Sequence, residues 1–255
     1  VPAENARSVA AKVCAVLDAI GAEPAGLNAT EVGRRTGMPL STAHRLVQTL
    51  AAWGGLERQA DGRYRAGLRL WEVAASAPRA GGLRDVARPF LEDLYEATQQ
   101  TVQLAVRDGG AAVVVEHFAT RGAVPTAARI GGRLPLHASG VGQVLLAYAP
   151  AVEQDAVLAG SLERYTDRTV TAPSELRRVL AEIRRVGVAV AVSTMPLPAL
   201  AVAAPVAGPG GQVVAAVSVV VPTGGDAAAV YVPAVIATAR GVSRRLAGSP
   251  LVRPG

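Results

Sequence analysis

The sequence predicts an α+β chain in two parts: a small front unit of three helices and a hairpin, and a larger rear unit of helices on a mainly antiparallel sheet. Three observations predict it. A chain of 255 residues exceeds the roughly 100 to 200 that one core usually organises, so two domains are expected. Up to Leu50 the apolar residues recur at spacings of three and four, as on a helix face, and two short runs then flank Asp61-Gly62. Beyond Leu83, further hairpin patterns around Asp108-Gly109-Gly110 and Gly208-Pro209-Gly210-Gly211 are interspersed with helical stretches.

Val9, Val13, Val16, Leu17 and Ile20 mark a first helix from Ser8, which Gly21 stops. Asn28 and Glu31 have the spacing of a capping box, in which each side chain satisfies a backbone donor at a helix start, so a second helix is predicted to about Thr36. Gly37 supplies the turn, and Pro39 pre-sets the backbone for a third helix. Ala43, Leu46, Val47 and Leu50 form its expected buried stripe, which leaves Ser41, Thr42, Arg45 and Gln48 on a polar face. Gly54 and Gly55 end it; Leu56 to Gln59 and Arg63 to Ala66 read as two strands joined at Asp61-Gly62.

A helix from Gly67 to about Ser76 leads to Pro78-Arg79-Ala80-Gly81-Gly82, whose composition marks a hinge. The expected limits are a front domain over 1–77, a hinge over 78–82, a rear domain over 83–248 and a tail over 249–255. In the rear domain, helices are expected from Leu83 to Thr98, Ser139 to Tyr148, Val152 to Ala159, Ser174 to Val186 and Val230 to Leu246. Strands are expected at Val102 to Val106, Ala112 to Phe118, Leu200 to Val206 and Gln212 to Val221.

Composition bounds the function. Half the residues are apolar and 18% are charged, which suits a packed chain rather than a disordered one. The longest apolar runs, such as Val213 to Val221, fall well short of the roughly 20 residues that span a bilayer. The start of the chain, with Glu4, Asn5 and Arg7, lacks a signal-peptide pattern, so a cytoplasmic location without membrane attachment is expected. A single cysteine, Cys14, rules out an intrachain disulfide and is expected to be a small core residue; with three scattered histidines, no metal site and no cofactor are expected.

The net charge of +6 suits a polyanion but does not locate it, because both halves carry a basic excess. Between Thr30 and Arg69, however, seven arginines stand against three acids. Three helices and an arginine-bearing hairpin are the parts of a winged helix-turn-helix, whose third helix enters the major groove of double-stranded DNA. Arg45 and Gln48 can pair with base edges, and Ser41 and Thr42 suit phosphates at a helix start. The candidate DNA contacts are Asn28, Arg34, Arg35, Pro39, Ser41, Thr42, His44, Arg45 and Gln48, with Arg58, Arg63 and Arg65 on the hairpin. The competing reading of the same pattern is a small structural domain with solvated charges, in which Arg45 pairs with an acid and His44 packs.

The run Thr36-Gly-Met-Pro-Leu-Ser-Thr-Ala-His-Arg-Leu-Val-Gln-Thr-Leu50, followed by Tyr64-Arg-Ala-Gly-Leu-Arg-Leu70, resembles the DNA-binding half of the isocitrate lyase regulator (IclR) family. Ala87-Arg-Pro-Phe-Leu-Glu-Asp-Leu94, the stretch from Gly132 to Ala147, and Ala203-Ala-Pro-Val206 resemble the sensing-domain signatures of that family, in the same order. The resemblance implies an N-terminal winged helix-turn-helix, a linker helix and a C-terminal GAF-like effector domain with an antiparallel sheet. It also implies an operator-binding transcription regulator, repressor or activator, that is a homodimer or homotetramer and responds to a small organic effector.

Related pockets often carry an acid just after the strand near Val188 to Val190 and a cysteine before the Ala-Ala-Pro-Val signature; this sequence has neither. Effector contacts are then expected from Leu136, Ser139, Gly140, Val141, Ala191, Ser193, Thr194 and Ala201, and the effector is expected to be less polar than a simple keto acid. Two alternatives stand beside this one. The rear domain could serve oligomerisation alone, or His137 and Ser139, two residues apart, could begin an acyl-transfer site.

Overall fold

The computed structural model describes residues 8–75, 78–120, 129–224 and 228–248. The expected tail over 249–255 and the segment with Glu4, Asn5 and Arg7 lie outside them. The chain divides into two compact units, Val1–Ala77 and Pro78–Gly255.

The front unit comprises α1 (Val9–Gly21), α2 (Ala29–Thr36), α3 (Leu40–Ala52), the hairpin strands β1 (Leu56–Arg58) and β2 (Tyr64–Ala66), and α4 (Leu68–Ala75). The apolar stripes of the helices meet Leu27, Leu56 and Tyr64 in one core, which contains Val16, Ile20, Val32, Ala43, Leu46, Val47 and Leu50. Fully burying one such large side chain contributes about 1.5 to 3 kcal/mol, so this small core rests on a handful of residues. Cys14 is not among them. It is exposed, because it lies one residue, about 100° of helix rotation, away from the Val13, Val16, Leu17 and Ile20 stripe.

The rear unit opens with α5 (Pro78–Thr98) and continues with β3 (Thr101–Asp108), β4 (Ala111–Phe118), β5 (Arg133–Pro135), α6 (Gly140–Ala147), α7 (Ala151–Ala159), α8 (Pro173–Val186), β6 (Ala189–Val192), β7 (Ala199–Ala207), β8 (Val213–Pro222) and α9 (Ala228–Ala247). The segment Pro78–Gly82, expected as a hinge, is the first turn and more of α5. Proline is tolerated at the start of a helix, and two glycines weaken one by about 1 kcal/mol each without forbidding it.

The sheet order is β5-β4-β3-β8-β7-β6, and every neighbouring pair is antiparallel. Both faces are covered. Val102, Leu104, Val202, Val217 and Val219 pack against α5 and α9. Ala105, Ala203 and Ala216 face the opposite way, toward α6 and α8. Large side chains on one face and alanines on the other let α6 come close to the sheet: a Cβ added at Gly140 would lie 3.0 Å from the Cβ of Ala201. Gly142 is tighter still, since a Cβ there would lie 2.5 Å from both the Pro135 carbonyl oxygen and Ser139 Oγ. β5 has no counterpart in the sequence reading, because three residues with Leu134 between Arg133 and Pro135 give no alternating signal.

Candidate functional sites

In the front unit, Asn28 Oδ1 accepts a bond from the Glu31 N–H, and Glu31 Oε2 accepts one from the Asn28 N–H, each at 2.9 Å. This capping box fixes the start of α2. Gly37, in the left-handed region at φ 68°, ends α2. The turn is tight enough that a Cβ on Gly33 would lie 3.2 Å from the Met38 carbonyl oxygen. α3 then buries Ala43, Leu46, Val47 and Leu50. Ser41, His44, Arg45 and Gln48 are exposed, Thr42 is half-buried, and Pro39 is the exposed N-cap residue.

The candidate arginines divide into two groups. Arg35 is held by Glu23 at 2.7 Å, and this bond lowers the Glu23 pKa below its ordinary value. Arg63 donates to the Gly26 carbonyl at 2.8 Å and to Glu31 Oε1 at 3.1 Å, so one carboxylate serves both the α2 cap and the hairpin. Arg34, Arg45, Arg58 and Arg65 are exposed and form no ion pair among the described residues. The hairpin therefore presents Arg58 and Arg65, while Arg63 fastens it to α2. The turn residue Gly62 has φ 80° and follows Gln59-Ala60-Asp61, with Gln59 N–H bonded to the Arg63 carbonyl at 2.7 Å. That is a three-residue loop ending in a left-handed glycine rather than a two-residue Asp-Gly turn.

In the rear unit a cavity of about 420 Å³ lies between the α6 start, the sheet and the 194–197 loop. Of the expected effector contacts, Ser139, Gly140, Val141, Ala191, Thr194 and Ala201 line it. Leu136 and Ser193 do not. Leu136 belongs instead to a wider groove of about 690 Å³, on which Arg133, His137, Glu153, Glu163 and Tyr165 also border. Several of that groove's polar groups already hold partners: Arg133 pairs with Asp108 at 2.8 Å, Glu153 with Arg107, and Tyr165 Oη with Glu163 at 3.0 Å. Ser193 sits at φ 51° with its carbonyl accepting from Thr166 Oγ1 at 2.6 Å, which anchors the loop instead of lining the cavity.

Ser139 lines the cavity, but its hydroxyl is engaged: it donates to the Pro135 carbonyl at 2.8 Å and accepts the Gly142 N–H at 3.1 Å, as the α6 cap. His137 Nε2 lies 2.9 Å from the Glu163 carbonyl oxygen and its ring stacks on Tyr165. The pair weighed as an acyl-transfer start is thus engaged with separate partners, Ser139 in two bonds and His137 in one. Thr194 Oγ1 donates to the Ala138 carbonyl at 2.6 Å, and Thr169 Oγ1 donates to the Thr194 carbonyl at 2.8 Å, which ties the covering loop to the α6 start and to the 166–169 turn.

The sequence reading missed Gln103, Leu134, Met195, Pro196, Leu197, Ala199, Ser218 and Val220, which complete the wall. Gln103 and Ser218 are the informative omissions. Each is a polar residue that interrupts an apolar run, Val102 to Val106 and Val213 to Val221, and is nearly fully buried, and that interruption was the available signal. None of the cavity's lining residues is ionisable. Among the described residues there is no cluster suited to a metal ion and no helix long and apolar enough to cross a membrane.

Comparison with known proteins agrees with this anatomy. The IclR helix-turn-helix domain matches residues 9–60, and the bacterial transcriptional regulator IclR C-terminal domain matches residues 77–244. The chain is 35% identical over 216 residues to the HTH-type transcriptional regulator BhcR of Paracoccus denitrificans, covering 82% of this chain and 75% of that protein. Among solved structures, an IclR homologue of Microbacterium hydrocarbonoxydans in complex with 4-hydroxybenzoate is 37% identical, with a TM-score of 0.88 over 95% of this chain and all of that one. The Thermotoga maritima IclR structure is 27% identical, with a TM-score of 0.75 over 93% of this chain and 98% of that one. The chain therefore belongs to the IclR family of transcription regulators, with a helix-turn-helix DNA-binding domain in front and an effector-binding domain behind.

Proposed function

We propose that α3 is the helix that reads the operator, through Arg45 and Gln48, with Ser41, Thr42 and His44 beside them and Pro39 at its start. Arg34, Arg58 and Arg65 neutralise backbone phosphates, while Asn28, Arg35 and Arg63 hold α2 and the hairpin in position for them. The observation that carries this reading is the division of labour on α3: its buried stripe fills the core, and its exposed face carries the hydrogen-bonding side chains of Ser41, His44, Arg45 and Gln48. Sequencing the DNA fragments retained by the full chain tests it. A shared operator motif is expected, and Arg58→Ala and Arg65→Ala should each weaken binding to all sequences and lower the salt slope by about 1. Retention of DNA without any shared motif would contradict it.

The effector in this proposal is a small organic acid with an apolar body. Its carboxylate lies at the α6 start, where Gly140 and Val141 bring backbone N–H groups to the cavity and the helix dipole favours negative charge. The body lies against Leu134, Met195, Leu197 and Val220. Aromatic acids of the kind bound by the Microbacterium homologue are the first compounds to test. Titration calorimetry should show binding that Gly140→Leu abolishes; equal binding by both proteins would move the site elsewhere.

The protein acts in the cytoplasm as a homodimer or homotetramer. Exposed apolar residues on α4 support self-association: Leu68, Trp71 and Val73 are 70%, 65% and 54% exposed. Two front units would then read two half-sites of one operator.

A further inference from the structure

Ser218 and Gln103 are cross-strand partners on β8 and β3, both on the α6-facing side of the sheet and both lining the 420 Å³ cavity. Ser218 is 1% exposed and its Oγ has no hydrogen-bond partner among the described residues; Gln103 is 3% exposed. Two residues along β3 on the same face, Thr101 is fully buried and its Oγ1 is also without a partner among the described residues. A buried hydroxyl left unpaired costs free energy that a fold does not normally leave unanswered. An alanine or valine would fill either strand position without that cost, as Ala216 and Val220 do on the same strand.

We propose that Gln103 and Ser218 determine effector specificity by binding an uncharged hydrogen-bonding group, a hydroxyl or phenol, at the end of the molecule opposite its carboxylate. This rests on the reading of the cavity as the effector site. The spacing suits a molecule with two ends. The α6 start lies over β7, where Gly140 meets Ala201. β8 is the next strand and β3 the one after it, so Ser218 and Gln103 stand about one and two strand spacings away, roughly 5 and 10 Å. Gln103 supplies an amide donor and acceptor, and Ser218 a hydroxyl that does either, so together they satisfy both the proton and the lone pairs of an incoming hydroxyl. No cationic side chain lines the cavity to neutralise a second negative charge, which excludes dicarboxylates from this arrangement.

The test compares 4-hydroxybenzoate with benzoate by calorimetry on the full chain, in the unsubstituted protein and in Ser218→Ala and Gln103→Leu. The unsubstituted protein should bind 4-hydroxybenzoate at least tenfold more tightly, and each variant should bring the ratio close to one while keeping the affinity for benzoate. The melting temperature of unliganded Ser218→Ala should be unchanged or raised, because an unpaired polar atom is removed; a clear fall would make the hydroxyl a fold element and overturn the proposal. Equal affinities for the two compounds in the unsubstituted protein would overturn it while leaving the cavity as the effector site. Binding of neither compound would overturn both.

Discussion

In the front unit, the residues that finish the core and those proposed to face DNA are different residues on one helix, whereas in the rear unit the α6 residues at the cavity are themselves buried. α3 buries Ala43, Leu46, Val47 and Leu50 and leaves Arg45 and Gln48 to solvent. α6 has no such spare face: each of its residues from Gly140 to Ala147 is buried. Substitutions on the α3 face should therefore change binding and spare stability, while substitutions within α6 itself should change both together.

The largest expected effect is at Gly142. Gly142→Ala places a Cβ against Pro135 and Ser139, and overpacking of this kind costs roughly 1 to 3 kcal/mol. The melting temperature should fall by several degrees and calorimetry should show weaker effector binding; a change in one without the other would separate site from core and break the contrast. Next is Glu31, whose carboxylate caps α2 and holds Arg63. Glu31→Ala should cost about 1 to 2 kcal/mol, combining a lost cap contact with a partly exposed ion pair, read by urea denaturation. Glu31→Gln keeps the capping geometry and should recover most of it; no recovery would place the effect in the ion pair alone.

The smallest effect is a pH dependence in the rear unit. Burial lowers the pKa of His117 below its ordinary 6.5, against an opposing pull from Glu116. The unfolded chain then takes up this proton at higher pH than the folded one does. The contribution is complete above pH 6.5 and is lost as the pH falls below 6.5 toward the lowered value. Thermal melts across that interval should show falling stability in the unsubstituted protein and a flatter profile in His117→Gln; parallel profiles would assign the acid sensitivity to other groups.

The same contrast explains what could be read from the sequence. Helical spacing exposed the α3 stripe and the Asn28–Glu31 cap residue by residue, because both are local. The tie from Arg63 to Gly26 and Glu31 spans more than thirty positions and left no local trace, so Arg63 read as one more wing arginine. In the rear unit the strand runs were legible, yet Gln103 and Ser218 meet only through the pairing of β3 with β8, and that register is a property of the folded sheet. The short β5 and the helical start of α5 were missed for a related reason. Three residues carry no period, and Pro78 with Gly81 and Gly82 has loop composition even though the backbone there is helical.

The most direct test of the account is the affinity of Gln48→Ala for the operator recovered from retained fragments, measured by fluorescence anisotropy beside a thermal melt of the same protein. A loss of about 1 to 3 kcal/mol in operator binding is predicted, roughly tenfold to a hundredfold, with one base preference relaxed and the melting temperature unchanged. An unaltered affinity and footprint would contradict the assignment of the exposed α3 face to DNA.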